Sequence, residues 1–349
     1  MLFNGISARR VPTHRLTMNI LETDRVGDPV VFIHGNVSSS LFWQRPMLDL
    51  PAGYRPIAVD LRGFGDTDPE PVDATRGLSD YADDVAALLN TLDLGPVHLV
   101  GWSMGGGIAL QLLRDHPASV RTLTLVNPVS PFGFGATRGE NGELIDPNGA
   151  GSGAGGANPE FVKMLADGVT ADDSPFAPRT IMHAFYFKPP FEPTDADVYV
   201  TSMLSTRTGD PHYPGDTTPT DAWPGAAPGT QGVLNALAPN HFRIDDLHTI
   251  TPKPPIRWIR GAADQIVSDG SMFDLAYLGS LGAIPGWPGA ETHPPQPMLA
   301  QTRAVLTRYA EAGGTYDEIV IDDCGHTPHL EKPTEFNAAL EGILSKGGH

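Results

Sequence analysis

The chain has 349 residues, 40% of them hydrophobic, and a formal charge of −18 at neutral pH. That length buries a substantial core, and no apolar run approaches membrane-spanning length. The acidic balance argues against a general affinity for nucleic acid or an anionic membrane surface, and the single cysteine, Cys324, rules out an internal disulfide or a cysteine-based metal site within the chain.

The N-terminal stretch MLFNGISARRVPTHRL lacks the apolar segment of a secretory signal, so the expectation is a cytoplasmic protein. RLTMNILE (15–22) alternates apolar and polar and reads as a half-buried strand. VVFIHG (30–35) and PIAVDLRG (56–63) are continuous apolar runs ending in glycine, the pattern of strands buried on both faces. DYADDVAALLNTL (80–92) places Tyr81, Val85, Leu88, Leu89 and Leu92 on one helical stripe, with Ser79 available as its cap. VHLVG (97–101) is a further buried strand, followed by a helix over 104–116 that ends before Pro117. RTLTLVN (121–127), PIRWIRG (255–261) and EIVIDDCG (318–325) complete the strands. Alternation of strand and helix predicts a mostly parallel sheet covered by helices on both faces.

Two regions break the rhythm. Residues 128–254 have no strand repeat and are rich in proline and glycine; GAGSGAGGA (149–157) reads as mobile. Residues 268–315 begin Gly/Pro-rich and finish in a helix, MLAQTRAVLTRYAEAG, with Leu299, Val305, Leu306 and Tyr309 apolar. The chain divides into a core of 1–127 and 255–349, a large insertion at 128–254 and a secondary insertion at 268–315. Long excursions from an α/β sheet usually form lids and binding loops.

VGWSMGGG (100–107) carries the chemistry. Ser103 sits on the turn between a buried strand and a helix, where the flanking glycines allow a sharp bend and close packing. A serine needs a base and an orienting acid. Asp264, in GAADQIV, follows one later strand, and His326, in CGHTPHLEKP, follows the last. Each of the three follows a strand at the same sheet edge, and their order suits this architecture. HGN (34–36) ends another strand, so the backbone N–H groups of Asn36 and Met104 are candidate oxyanion donors. Trp102, Phe42 and Trp43 flank the site as candidate substrate contacts, with core packing the equal alternative for Trp102. Asp269, Asp322 and Asp323 read as solvated carboxylates. His34 and His98 read as core residues, and His329 as a loop support. Asp60 and Arg62 read as loop-fixing, and Cys324 as a small buried residue rather than half of a Cys–His couple. HAFYFKPPF (183–191) reads equally as an apolar lining or as packing against the sheet. No spacing suggests a metal site or a phosphate-cradling loop, so neither metal nor cofactor is expected.

In these motifs the chain resembles the α/β-hydrolase superfamily. The matching stretches are FIHGNVSSSLFW (32–43), VDLRGFGDTD (59–68), GWSMGGGIAL (101–110), GAADQIV (261–267) and GHTPHLEKPTEF (325–336), within residues 15–127 and 255–345. The resemblance implies the α/β-hydrolase fold, a mostly parallel sheet with helices on both faces and an inserted cap at 128–254. It implies Ser103 as nucleophile, His326 as base and Asp264 as acid. In detail the motifs are similar to the branch of esterases, lactonases, cofactor-free haloperoxidases and carbon–carbon bond hydrolases. Related dehalogenases and epoxide hydrolases carry aspartate where this chain has Ser103, which argues against both. The HGN…SS…W stretch resembles the dehalogenase version, in which the asparagine side chain helps hold halide; here Asn36 is read as a backbone donor, its side chain an extra one. Some relatives carry the acid after the preceding strand, but that place holds Asn127, which leaves Asp264. The expected activity is hydrolysis of a small-molecule carboxylic ester or lactone, with an apolar acyl or alcohol part, through an acyl-enzyme. Carbon–carbon cleavage, perhydrolysis and a non-enzymatic ligand receptor stay open as alternatives.

Overall fold

The computed structural model describes residues 1–347. Its centre is an eight-stranded sheet of β1 (Ser7–Pro12), β2 (Thr17–Glu22), β3 (Asp28–Ile33), β4 (Tyr54–Val59), β5 (Val97–Trp102), β6 (Val120–Val126), β11 (Ile256–Gly261) and β12 (Tyr316–Ile321), in the order β1-β2-β4-β3-β5-β6-β11-β12. β1 and β2 enter antiparallel, and every pairing from β4 to β12 is parallel. Val30 to Ile33, Leu99 and Val100, and Leu123, Leu125 and Val126 are fully buried, as the continuous apolar runs require. Helices α1 (Gln44–Asp49), α2 (Ser79–Thr91) and α3 (Met104–Asp115) cover the first half, and α9 (Met298–Glu311), α10 (Pro328–Glu331) and α11 (Pro333–Leu344) follow in the second.

The structure departs from expectation at particular elements. β1 carries no apolar alternation, since only Val11 is buried. It forms because the ladder from Ser7 opposite Glu22 to Pro12 opposite Thr17 satisfies its backbone and because Arg9 pairs with Glu22 at 2.6 Å. β12 begins earlier than expected and ends at Ile321, which frees residues 322–325 to turn toward His326. Ser79 does not cap α2: Leu78 occupies the cap position, with no side-chain cap bond.

Between β6 and β11 the chain builds two small antiparallel ribbons, β7 (Thr137–Arg138) with β8 (Glu143–Leu144) and β9 (Thr217–Pro219) with β10 (Ala226–Pro228). Around them lie α4 (Pro159–Ala166), α5 (Pro178–Ile181) continued by a π-helical turn at Met182–Tyr186, α6 (Ala196–Leu204) and α7 (Val233–Ala236). The segment 149–157 is folded rather than open coil. Gly149, Gly151 and Gly153 take left-handed backbone, the segment closes a 3-10 turn at Gly153–Gly156, and Ala150 and Ala154 are buried. The Ala154 N–H donates to Asn235 Oδ1 at 2.9 Å. Within 268–315, α8 (Leu275–Ser280) precedes α9.

Close approach of α3 to the sheet depends on glycine. A Cβ on Gly105 would stand 2.4 Å from the Ile33 carbonyl oxygen and 2.5 Å from that of His34, and one on Gly101 would stand 2.3 Å from the Gly105 carbonyl oxygen. These are backbone atoms of buried elements and cannot swing aside. Gly105→Ala should therefore destabilise the fold by roughly 3 kcal/mol through overpacking, read as a lowered urea midpoint with an unchanged slope. A variant as stable as the parent would show that α3 is free to move off the sheet.

Candidate functional site

Four loops meet at the carboxyl edge of the parallel strands. They follow β3, β5, β11 and β12 and carry Asn36, Ser103, Asp264 and His326. Ser103 has φ 56° and ψ −121°, backbone that a side-chain-bearing residue adopts only under strain. Its turn is pinned on both sides. The Ser103 N–H donates to the Val126 carbonyl at 2.9 Å, and the Ser103 carbonyl accepts from Gly106 at 2.9 Å and Val129 at 3.0 Å. Gly35 lets the β3 loop close on this turn, since a Cβ there would meet Ser103 Cβ at 2.9 Å.

His326 and Asp264 form a buried pair, with Nδ1 and Oδ2 2.8 Å apart and both side chains 3% exposed. The other carboxylate oxygen, Oδ1, accepts from the Ile266 and Val267 N–H groups at 2.8 and 3.1 Å, which orients Asp264 toward the histidine. The His326 carbonyl accepts from Trp102 Nε1 and Asn127 Nδ2, both at 2.8 Å. Asn127 Oδ1 in turn accepts from the Gly261 N–H at 3.1 Å. Asn127, at the place where a carboxylate was considered and discounted, thus ties the loop of His326 to the end of β11. Glu331 finishes the loop by accepting from the Gly325 and Thr327 N–H groups.

Asn36, Ser103, Met104 and His326 line one cavity of about 370 Å³. Met104 opens α3, where the first N–H groups of a helix have no partner within it. Its wall beyond them is apolar, with Phe161, Ile181 and Phe185 from the segment between β6 and β11 and Met272, Phe273 and Leu278 from the segment between β11 and β12. No Lys, Arg, Asp or Glu lines it among the described residues. Gly151 and Gly153 of the folded glycine-rich segment form part of the same wall.

Tyr186, which nothing in the sequence singled out from its aromatic neighbours, joins the two parts. Its hydroxyl shares its proton between the Asn36 and Val37 carbonyl oxygens, 3.2 Å from each, and its own carbonyl lies 2.9 Å from the Thr327 hydroxyl. Of the three aromatic candidates for substrate contact, Trp102 lines the cavity. The structure does not bring Phe42 and Trp43 there. Phe42 packs between Trp102 (5.1 Å) and Tyr199 (4.7 Å), and Trp43 stacks on His329 at 4.4 Å, both fully buried. They were drawn under the sheet edge because burying two large rings outweighs leaving them at a cavity wall. The stretch 183–191 divides: Phe185 and Tyr186 line the cavity, while Phe187 packs against Phe191.

The remaining candidates hold loops or lie apart. Asp60 accepts from Ser40, Asn19 and Asp66, and Arg62 forks onto Asp84 at 2.6 and 2.8 Å. Asp269 and Asp322 are exposed, and exposed Asp323 pairs with Lys188. Cys324 is fully buried, and burial pushes its thiol far above the usual range.

Residues 28–147 match the family model described as alpha/beta hydrolase fold. The chain has the α/β-hydrolase fold. It is 44% identical over 110 residues to a non-heme chloroperoxidase of Streptomyces lividans, covering 31% of this chain and 39% of that protein. It is 37% identical over 109 residues to a 2-hydroxymuconate semialdehyde hydrolase of Pseudomonas sp. strain CF600, covering 30% and 38%. The matches span between 24% and 42% of the length of such curated relatives. Over nearly the whole length, the chain has the fold of the esterase RhEst1 from Rhodococcus sp. ECU1013, with TM-score 0.59 and 22% identity over 99% of this chain and 100% of that one.

Several histidines around the hydrolase sheet are buried and neutral. Burial lowers His34 to about 4 despite nearby Asp60, and lowers His98 to about 4 with help from Arg121. His329 is held well below the ordinary value by burial and then by His326. In His34, Nε2 accepts from the Leu61 N–H at 3.1 Å and Nδ1 lies 2.7 Å from the Gly35 carbonyl, a pairing that suits the neutral ring. Because the folded pKa lies below the unfolded value of 6.5, the folded state is favoured fully above that value. It loses ground as pH falls toward 4, at up to about 1.4 kcal/mol per pH unit for His34. Unfolding free energy by urea should be level from pH 8 to 7 and decline steadily from 6.5 to 4.5. A level profile through that lower window would contradict the neutral buried rings.

Proposed function

We propose that this α/β-hydrolase is a serine hydrolase of uncharged carboxylic esters or lactones, acting through an acyl-enzyme. The observation that carries the reading is Ser103 sharing a cavity with His326, whose far nitrogen is held by buried Asp264. In the proposed sequence His326 takes the Ser103 hydroxyl proton as Oγ attacks the carbonyl carbon. Asp264 keeps Nδ1–H donating and favours the charged imidazolium that forms. The N–H groups of Asn36 and Met104 receive the developing oxyanion, and the partial positive charge at the start of α3 adds to them. The histidine then protonates the leaving alcohol, and water activated by the same nitrogen releases the acid. The residues 128–254 act as the cap, with 268–315 completing its rim, since both supply the apolar wall over the reacting end.

The wall also bears on the substrate. Burying a carboxylate without a counter-charge is costly, and the cavity offers no cation. That favours neutral acyl and alcohol parts and speaks against a dioxo acid as the substrate of a carbon–carbon cleavage.

p-Nitrophenyl acetate, butyrate and octanoate should all be hydrolysed, the longer chains with higher kcat/KM. The hemisuccinate ester should be slower than butyrate by at least about tenfold. Ser103→Ala should lower kcat by roughly 10³-fold or more and abolish labelling by a fluorophosphonate. An undiminished rate in that variant would refute Ser103 as nucleophile. Tyr186→Phe keeps the ring but frees the Asn36 and Val37 carbonyls. It should lower kcat about tenfold with KM nearly unchanged, as expected when an oxyanion loop loosens. A change in KM alone would instead make Tyr186 a wall residue.

A further inference from the structure

Beyond its reacting end the cavity carries two buried polar side chains, Ser152 and Tyr213, and the Ser152 hydroxyl is already taken by the Gly149 carbonyl at 2.7 Å. Tyr213 lines the cavity and is 6% exposed. Its hydroxyl bonds no described residue, whereas that of Tyr186 is occupied by two carbonyls. Buried tyrosine hydroxyls ordinarily find a partner. Tyr213 lines the cavity, so what the cavity holds is the partner its hydroxyl is free to take.

The ring is held firmly for that task. The Tyr213 N–H donates to the Arg207 carbonyl at 3.1 Å, and its own carbonyl accepts from Gly209 at 2.9 Å. His212, beside it, accepts from the Val233 N–H at 2.7 Å. Phe161 meets the ring edge-on, with centroids 6.4 Å apart. Burial raises the Tyr213 hydroxyl's pKa, so it remains a donor at any working pH. Burial and then Tyr213 raise that of Tyr186.

We propose that Tyr213 is a substrate-binding residue that donates a hydrogen bond to a neutral oxygen, such as an ether, ketone, hydroxyl or amide oxygen, a few bonds from the scissile carbonyl. The substrate is then an uncharged ester or lactone with a second hydrogen-bond acceptor in an otherwise apolar part. This deepens the serine-hydrolase reading and rests on it for which bond is cleaved, but not for binding.

The test uses binding to the full chain carrying Ser103→Ala, followed by tryptophan fluorescence, because Trp102 lines the cavity. The probes are methyl octanoate and its 3-, 4-, 5- and 6-oxa analogues, with hexyl acetate and 2-propoxyethyl acetate for the alcohol side. At least one ether oxygen should bind about fivefold to tenfold more tightly than its all-carbon parent, and the misplaced ones more weakly. Adding Tyr213→Phe should abolish that gain, so that every ether binds more weakly than its parent, while methyl octanoate stays within about twofold. No gain at any position, or a gain that survives Tyr213→Phe, overturns the proposal. Turnover by the chain with Ser103 is measured alongside. A gain without turnover removes the hydrolase reading and leaves the subsite; turnover without a gain removes the subsite alone.

Discussion

Everything at this site depends on forcing one serine through a left-handed turn between a buried strand and a helix. At φ 56° Ser103 is strained, and such strain persists only where the surroundings over-determine it. The surroundings here are two kinds of constraint. Backbone bonds to Val126, Gly106 and Val129 grip the turn. Glycines at 35, 101 and 105 remove the side chains that would otherwise hold the β3 loop, β5 and α3 apart. The outcome is a serine at the carboxyl edge of the sheet, beside a helix start.

The polar end of the cavity is connected to its apolar wall through few residues. Tyr186 touches the loop of Asn36 with its hydroxyl and lies against Thr327 with its carbonyl. Lys188, two residues on, donates its N–H to Glu331 at 2.8 Å, and Glu331 also holds Gly325 and Thr327. The segment between β6 and β11 therefore bears on both the Asn36 loop and the His326 loop. A shift in that segment would be felt at Asn36 and His326 together, which couples whatever fills the cavity to the geometry around Ser103.

Much of the core was legible because its signals are local. The runs VVFI and VHLV say buried strand by themselves, and a glycine-flanked serine between a strand and a helix says sharp turn. The pairing of Asp264 with His326 was legible by place, since each follows a strand at the same sheet edge. β1 was not legible, because an exposed antiparallel edge has no apolar pattern to read; its ladder to β2 and the pair of Arg9 with Glu22 make it. Phe42 and Trp43 were near the site in sequence but are turned beneath it, against Tyr199 and His329, residues far along the chain. The glycine-rich stretch 149–157 read as slack chain. It is folded because its left-handed glycines wrap Asn235 and Pro228, partners about 80 residues away that composition cannot reveal.

By itself the sequence determined the strand–turn–helix around Ser103, the order of the sheet-edge residues and hence the fold, because each of these is written in short runs of hydrophobicity and glycine placement. Only the tertiary structure decided that Asn127 holds the loop of His326, that Tyr186 holds that of Asn36, and that residues from the β6–β11 and β11–β12 connections wall a cavity without a single Lys, Arg, Asp or Glu in its described lining. The reason is physical. Burial and a hydrogen bond's partner are properties of distances between residues far apart in the chain, and those distances exist only once the chain has folded.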